Sequence, residues 1–534
     1  MAKARPVRPQ SVSKRQFLEA AGIVGGASAV LTALDGWGIG FASAAQAPPD
    51  LAGCSDNIRV LILGAGLSGL TAAYELGLRG YDCEVLEARS FAGGRCQSAR
   101  AGFTIEEMDG SRRTCEFDEG QYFNHGAWRL PSYHHAVFHY IRKFGIPMEI
   151  MVQENDQGYL KFSNAEGPLA GRRLRRREIK ADMRGYTSEL LAKAVDEGAL
   201  DSELSNQDKE QLTDYLVREG FLDFRTLSYK GTLHRGLEKF DAMGLMGPNT
   251  PSEPLAFKEL LKSGLGNPFQ GVTTIDHPHS MYQPVGGMDQ IAKAFERRVS
   301  EKIIYNAEVQ GLNQDENGVR IPYRDTATDE MRVAEADYCI TTIPLNILSQ
   351  LETDLSDKVK EAMSKPRPSS VGKLALQMNR RFWEEDDNIY GGSSSTGLPS
   401  HTVIYPSYGY FGRKGVIQSA YAFGRMATTL GEMSLDEQVE QAIERSEMIH
   451  PGQFRKHYDG KAFSVAWHQT KHNEGGWTQW SPRDRQQHLP VLRERQGRVY
   501  FSGDYLSGLA GWQVGAIESA WTQIEKVHAA ASTA

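Results

Sequence analysis

Residues 58–95, IRVLILGAGLSGLTAAYELGLRGYDCEVLEARSFAGGR, constrain this chain more than any other stretch. Ile58–Leu63 is a short apolar run rich in branched residues and reads as a buried parallel strand. Gly64, Gly66 and Gly69 form G-x-G-x-x-G, and Leu70–Leu78 then carries apolar residues at helical spacing. The three glycines serve different ends. They give a tight turn, room for backbone beside a pyrophosphate, and close packing of helix on strand. The helix start offers free N–H groups and a positive dipole end to phosphate. A second strand, Cys83–Leu86, ends at Glu87, 21 residues past Gly66, where an acid can accept both hydroxyls of a ribose. This order of strand, turn, helix, strand and acid predicts a dinucleotide site.

At 534 residues the chain exceeds one ordinary core, and its length suggests about two to four domains. The composition is that of a globular protein, with 40% hydrophobic and 24% charged residues. A net charge of −7 gives no footprint for nucleic acid. No run is long and apolar enough to span a membrane. The basic run Arg172–Arg177 reads as a solvated helix face.

Residues 1–47 read as an export signal or an extension. Ser13-Lys14-Arg15-Gln16-Phe17-Leu18 resembles the twin-arginine pattern with Lys at the first position, and a Gly- and Ala-rich stretch leads to A-x-A sites at 42–44 and 45–47. That predicts a periplasmic or secreted protein, with a cytoplasmic one as the alternative. Cysteines 54, 83, 96, 115 and 339 lack metal-ligand spacing. No metal and no disulfide are assigned, and Cys83 and Cys339 read as strand packing.

Glu87-Ala88-Arg89 followed by Gly93-Gly94-Arg95 resembles the signature of the flavin-containing amine oxidases, which hold FAD. Arg95 can neutralise a pyrophosphate there. Gly126-Ala127-Trp128-Arg129-Leu130-Pro131 resembles the G-x-M-R-[IL]-P stretch of the L-amino-acid oxidases, with Trp in place of Met. The resemblance implies that Arg129 binds the substrate carboxylate, a role suited to its planar fork of donors. Lys373-Leu374-Ala375-Leu376 with Phe382-Trp383-Glu384 is similar to the family's lysine segment, which implies that Lys373 holds a water against flavin N5. Residues 391–400 with Ile404-Tyr405-Pro406 resemble G-G-x-S-[ST]-[ST]-x-L-P-S…Y-P, which implies Tyr405 as the phenol that joins Arg129 on the carboxylate.

Further cofactor contacts follow from the same resemblance. Val309 falls where a backbone valine meets the adenine, in a strand expected over Ile303–Leu312. Trp467 and Glu474-Gly475-Gly476-Trp477 fall near the flavin. Gly503-Asp504 and Gly511-Trp512-Gln513-Val514-Gly515-Ala516 resemble the C-terminal FAD signature. Asp504 is then an acceptor for the ribityl or phosphate region. Trp512, with Gly511, is one wall of an aromatic cage, and a helix starting near Val514 points its N-terminus at the flavin.

The expected fold is α/β with α+β: a Rossmann-like FAD-binding domain interleaved with a mixed-sheet substrate domain and a helical insertion. The FAD-binding domain is expected over 53–130, 271–345 and 466–534, the substrate domain over 131–170 and 346–465, and the insertion over 171–270. Helices are expected in the insertion at Arg176–Glu197, Asp208–Glu219 and Leu255–Ser263. The resemblance implies an FAD-dependent oxidase that takes an L-amino acid and O2 to a 2-oxo acid, ammonia and H2O2, as a homodimer. The alternatives on the same fold are an amine or polyamine oxidase, a decarboxylating amino-acid monooxygenase, and a non-catalytic flavoprotein.

Overall fold

The computed structural model describes residues 47–52, 57–162, 165–237, 252–267, 276–399 and 401–532. The proposed export signal lies almost wholly outside them. Among the described residues no helix is long and apolar enough to cross a membrane.

Arg59–Leu63 is the centre of a parallel sheet in the order Val499–Phe501, Tyr338–Thr341, Arg59–Leu63, Asp82–Leu86, Ile303–Ile304. Val60, Leu61, Ile62 and Leu63 are all buried because helices cover one face and a second layer covers the other. Helices Leu67–Gly77, His135–Phe144, Asp289–Val299 and Gln513–Ala531 cover the first face with Leu70, Phe295, Trp521 and Ile524. Leu61, Leu63 and Leu86 meet Leu312, Leu355 and Tyr505 on the other.

The strand expected over 303–312 is broken. Asn306 turns the chain at φ 59, so Ile303–Ile304 stays in the parallel sheet while Ala307–Val309 pairs antiparallel with Val319–Asp325.

A second sheet runs Tyr458–Ala466, Val371–Met378, Gly415–Phe423, Thr402–Ile404, Ser393–Ser395, Tyr159–Leu160, Leu174–Arg175. Every residue of Val371–Met378 is buried, so both of its faces are covered. Leu374 and Leu376 face helices Arg425–Glu432 and Leu435–Glu447 with Trp383 and Ile417. Val371 and Ala375 face the opposite way with Val465 and Trp467. Alternation places Lys373 on this second face. It pairs across the strands with Tyr421, as Val371 does with Phe423. A bulge between Leu374 and Ala375 interrupts the register beside them.

The insertion contains helices Arg176–Asp196, Asn206–Gly220 and Phe257–Ser263. Its arginine run is only in part the solvated face expected: Arg172 and Arg173 are exposed, and the rest are half-buried or buried. Arg173 donates to the Ile449 carbonyl and stacks over Tyr159, Arg175 donates to the Gln157 carbonyl, and Arg177 donates to the Arg235 carbonyl. The run knits the insertion to the second sheet. Asp182, fully buried, accepts from Arg235 at 2.5 Å, Tyr229 at 2.9 Å and the Leu255 N–H at 2.8 Å, and so pins three segments of the insertion together.

Candidate active site

One cavity of about 870 Å³ runs between the two sheets. That is near the top of the range for cofactor and ligand pockets, roughly 300–1,000 Å³. Its first arm starts at the glycine turn. The Glu87 carboxylate accepts from the Ala65 N–H at 2.7 Å and the Arg89 N–H at 3.0 Å, which fixes it at the cavity wall. Helix Leu67–Gly77 has no side-chain cap at its start. A Cβ at Gly66 would meet nothing within 4 Å, whereas one at Gly69 would stand 2.0 Å from the Gly64 carbonyl oxygen. Gly66 leaves space for a ligand, and Gly69 lets the helix approach the turn. Uncapped N–H groups, open space and an anchored carboxylate together suit a dinucleotide such as FAD.

Gly69→Ala must therefore push the helix off the turn. The expected result is a colourless protein with little bound FAD, measured by flavin absorbance after purification. Full retention of FAD would contradict this reading of the turn.

The other arm is aromatic. Arg129 stacks on Trp128, with Cζ 4.3 Å from the ring centroid. Its guanidinium makes no hydrogen bond or ion pair among the described residues. Burial lowers its pKa to about 10. Lys373 is buried, and its Nζ donates to the carbonyls of Gly126 at 2.7 Å and Asn124 at 3.1 Å. Nζ also lies 4.8 Å from the Tyr421 ring. Burial first, then the nearby Arg129 charge, lower the Lys373 pKa to about 7. Tyr421 and Phe423 (ring centroids 4.4 Å apart), Trp477 and Trp512 line the rest of this arm. The Trp512 ring rests against His277 at 5.7 Å and against buried His134 at 4.9 Å. Burial keeps His134 neutral, with a pKa near 3.

Comparison with known proteins decides what kind of site this is. The model of the family described as flavin containing amine oxidoreductase matches residues 67–527. The chain belongs to that family.

Relatives of this amine oxidoreductase include an L-amino-acid oxidase of Echis ocellatus, 28% identical over 88% of this chain and 89% of the relative. L-amino acid oxidase Lm29 of Lachesis muta is 29% identical over 89% of this chain and 88% of that protein. Among solved structures, a putrescine oxidase matches with a TM-score of 0.57 at 18% identity, covering 88% of this chain and 99% of its own. The cyclohexylamine oxidase of Brevibacterium oxydans IH-35A matches with a TM-score of 0.56 at 17% identity, covering 89% and 99%. These two establish a shared fold.

The chain is thus a flavin-dependent oxidoreductase with FAD as its cofactor. Gly64, Gly66, Glu87, Ala88, Arg89, Gly94, Arg95, Gly126, Ala127, Trp128, Arg129, Val309, Lys373, Trp467, Gly503, Asp504, Gly511 and Trp512 all line the one cavity. Gly69 sits behind it against Gly64. Val514 is in the core rather than on the wall, and its neighbours Gln513 and Ala516 reach the cavity from the helix start. Trp467 is held by a 3.0 Å bond from its Nε1 to the His125 carbonyl.

Two charges expected to reach the cofactor separately meet each other. Arg95 pairs with Asp504 and donates to the Gly476 carbonyl, while the second Asp504 oxygen accepts from the Gly511 N–H at 2.8 Å. Arg89 is likewise engaged, by Asn473 and by the carbonyls of Gly94 and His472. Glu474 bonds Gln350 at 3.2 Å.

Tyr405 is the one site residue expected at the carboxylate that stands elsewhere. It is absent from this cavity's wall, and its ring packs with Leu374, Leu376 and Trp383 on the helix-covered face of the second sheet. Its hydroxyl bonds Ser394 and His450, each at 2.7 Å. His450 in turn bonds Asp387 at 2.8 Å. The phenol beside Arg129 is Tyr421, which sequence reasoning missed. Its signal was the alternation of Tyr421 and Phe423 at the end of Gly415–Phe423, which only the pairing with Lys373 turns towards the cavity.

Proposed function

We propose that this flavoenzyme oxidises L-amino acids, giving 2-oxo acids, ammonia and H2O2. The observation that carries this reading is Arg129: a half-buried guanidinium facing the cavity, beside Lys373, with no counter-charge on it among the described residues. Burying a charge without a partner is costly, and an anionic ligand relieves the cost. A carboxylate matches the fork of Arg129 with two parallel bonds. The curated relatives named as L-amino-acid oxidases support the same substrate class.

FAD, held at Gly64, Gly66 and Glu87, would supply the two-electron oxidation of the Cα–N bond, with O2 as the final acceptor. The chain supplies position and electrostatics. Arg129 and the Tyr421 hydroxyl hold the carboxylate. Phe423, Trp477 and Trp512 exclude water from the rest of the substrate and favour its neutral amine. Lys373 donates to the Asn124 and Gly126 carbonyls at the cavity wall, which holds its nitrogen in place. The imino acid released hydrolyses in water.

Purified holoenzyme should form H2O2 and 2-oxo acid from L-amino acids and neither from their decarboxylated amines. An amide product accompanied by CO2 would instead identify a decarboxylating monooxygenase.

The two phenols separate cleanly. Tyr421→Phe should raise KM for L-amino acids about 10- to 100-fold, the worth of a hydrogen bond to a charged group. Tyr405→Phe should leave KM within about twofold and cost about 1–3 kcal/mol of stability, because His450 and Ser394 lose a buried partner. The reverse pattern in steady-state kinetics and denaturant melts would restore Tyr405 to the clamp.

A further inference from the structure

We infer that Trp128 is a positioning residue that sets the plane of Arg129 and the edge of Tyr421 in the carboxylate clamp, an inference that rests on the amino-acid reading above. The indole touches both. Arg129 Cζ stands 4.3 Å from its ring centroid, and the Tyr421 ring meets it edge-on, with centroids 6.2 Å apart at 86°. Stacking a guanidinium on an aromatic face fixes its plane while occupying none of its five N–H donors. Arg129 is held in no other way among the described residues, so all of its donors stay available to a ligand.

The indole lines both the main cavity and a smaller pocket of about 40 Å³ that it shares with Asn124, Met151, Ile404 and Gln418. That pocket has room for a few waters and not for a swung indole. With Arg129 on its face and Tyr421 at its edge, Trp128 organises the clamp before substrate arrives. Preorganisation of this kind lowers the entropy lost on binding and leaves the later redox step untouched.

The test compares wild type with Trp128→Met, which keeps an apolar side chain but has no π face, and with Trp128→Phe, which restores a smaller one. KM and kcat are measured with one L-amino acid, and the Kd of benzoate, a carboxylate that is not turned over, is read from the flavin spectrum of each holoenzyme. Trp128→Met should raise KM and the benzoate Kd together by roughly 3- to 30-fold, with kcat changed less than about threefold, and Trp128→Phe should fall between. An unchanged benzoate Kd in Trp128→Met overturns the inference. So does a loss of FAD in both variants, which would make the indole part of the cofactor seat. Arg129→Met, measured alongside, tells the two failures apart. If it too leaves benzoate binding unchanged, the amino-acid reading itself fails; if it abolishes binding while Trp128→Met does not, only the role of Trp128 fails.

Discussion

Arg129→Met is expected to lower kcat/KM for L-amino acids by about 30- to 4,000-fold, the range for truncating one partner of a desolvated charge pair. Most of the loss should appear in KM, because the guanidinium grips the carboxylate equally before and during reaction. FAD content should stay at the wild-type level, since the residues that suit the cofactor lie in the other arm. The free protein should not suffer either. Arg129 has no hydrogen-bonded partner among the described residues, and removing a half-buried charge without one relieves a desolvation cost. A variant that binds substrate normally, or that melts well below wild type, would show Arg129 to be a structural ion-pair residue.

Lys373→Met should retain FAD yet slow turnover by roughly 100-fold, the scale of a lost proton-handling group. Its signature is in the pH dependence. Burial and Arg129 bring the folded-state pKa of Lys373 to about 7, against an ordinary value near 10.5. Between those two values the unfolded chain holds a proton that the folded chain lacks, so the Lys373 contribution to stability rises with pH across that window. Below about pH 7 the folded protein carries the buried ammonium and its full cost. Lys373→Met should therefore melt above wild type at pH 6, and the gap should narrow towards pH 10. The limb of kcat/KM near pH 7 should vanish in the variant. A constant gap in melting temperature across that range would mean that Lys373 does not titrate there.

The cofactor arm was legible in the sequence because its chemistry is local. Strand, glycine turn, helix and Glu87 follow one another along the chain, and each residue's role is set by its neighbours within about two dozen positions. The substrate arm is non-local. Tyr405 and Tyr421 stand 16 residues apart, and only strand pairing and a bulge decide which phenol faces Lys373. A motif that reads well in one dimension pointed to Tyr405, whose hydroxyl is taken by Ser394 and His450. The Arg172–Arg177 run misled for a related reason. Its charges are used on carbonyls and rings distant in sequence, such as Ile449. The break at Asn306 shows the converse: one left-handed residue ends a strand that apolar patterning alone would continue.

The central claim is that this cavity selects a substrate by its carboxylate. Anaerobic stopped-flow reduction of the bound FAD tests it most directly, with an L-amino acid and its decarboxylated amine offered at equal concentration. Rapid bleaching by the amino acid and none by the amine is the result predicted, with Arg129→Met abolishing the difference. Equal or faster bleaching by the amine would contradict it.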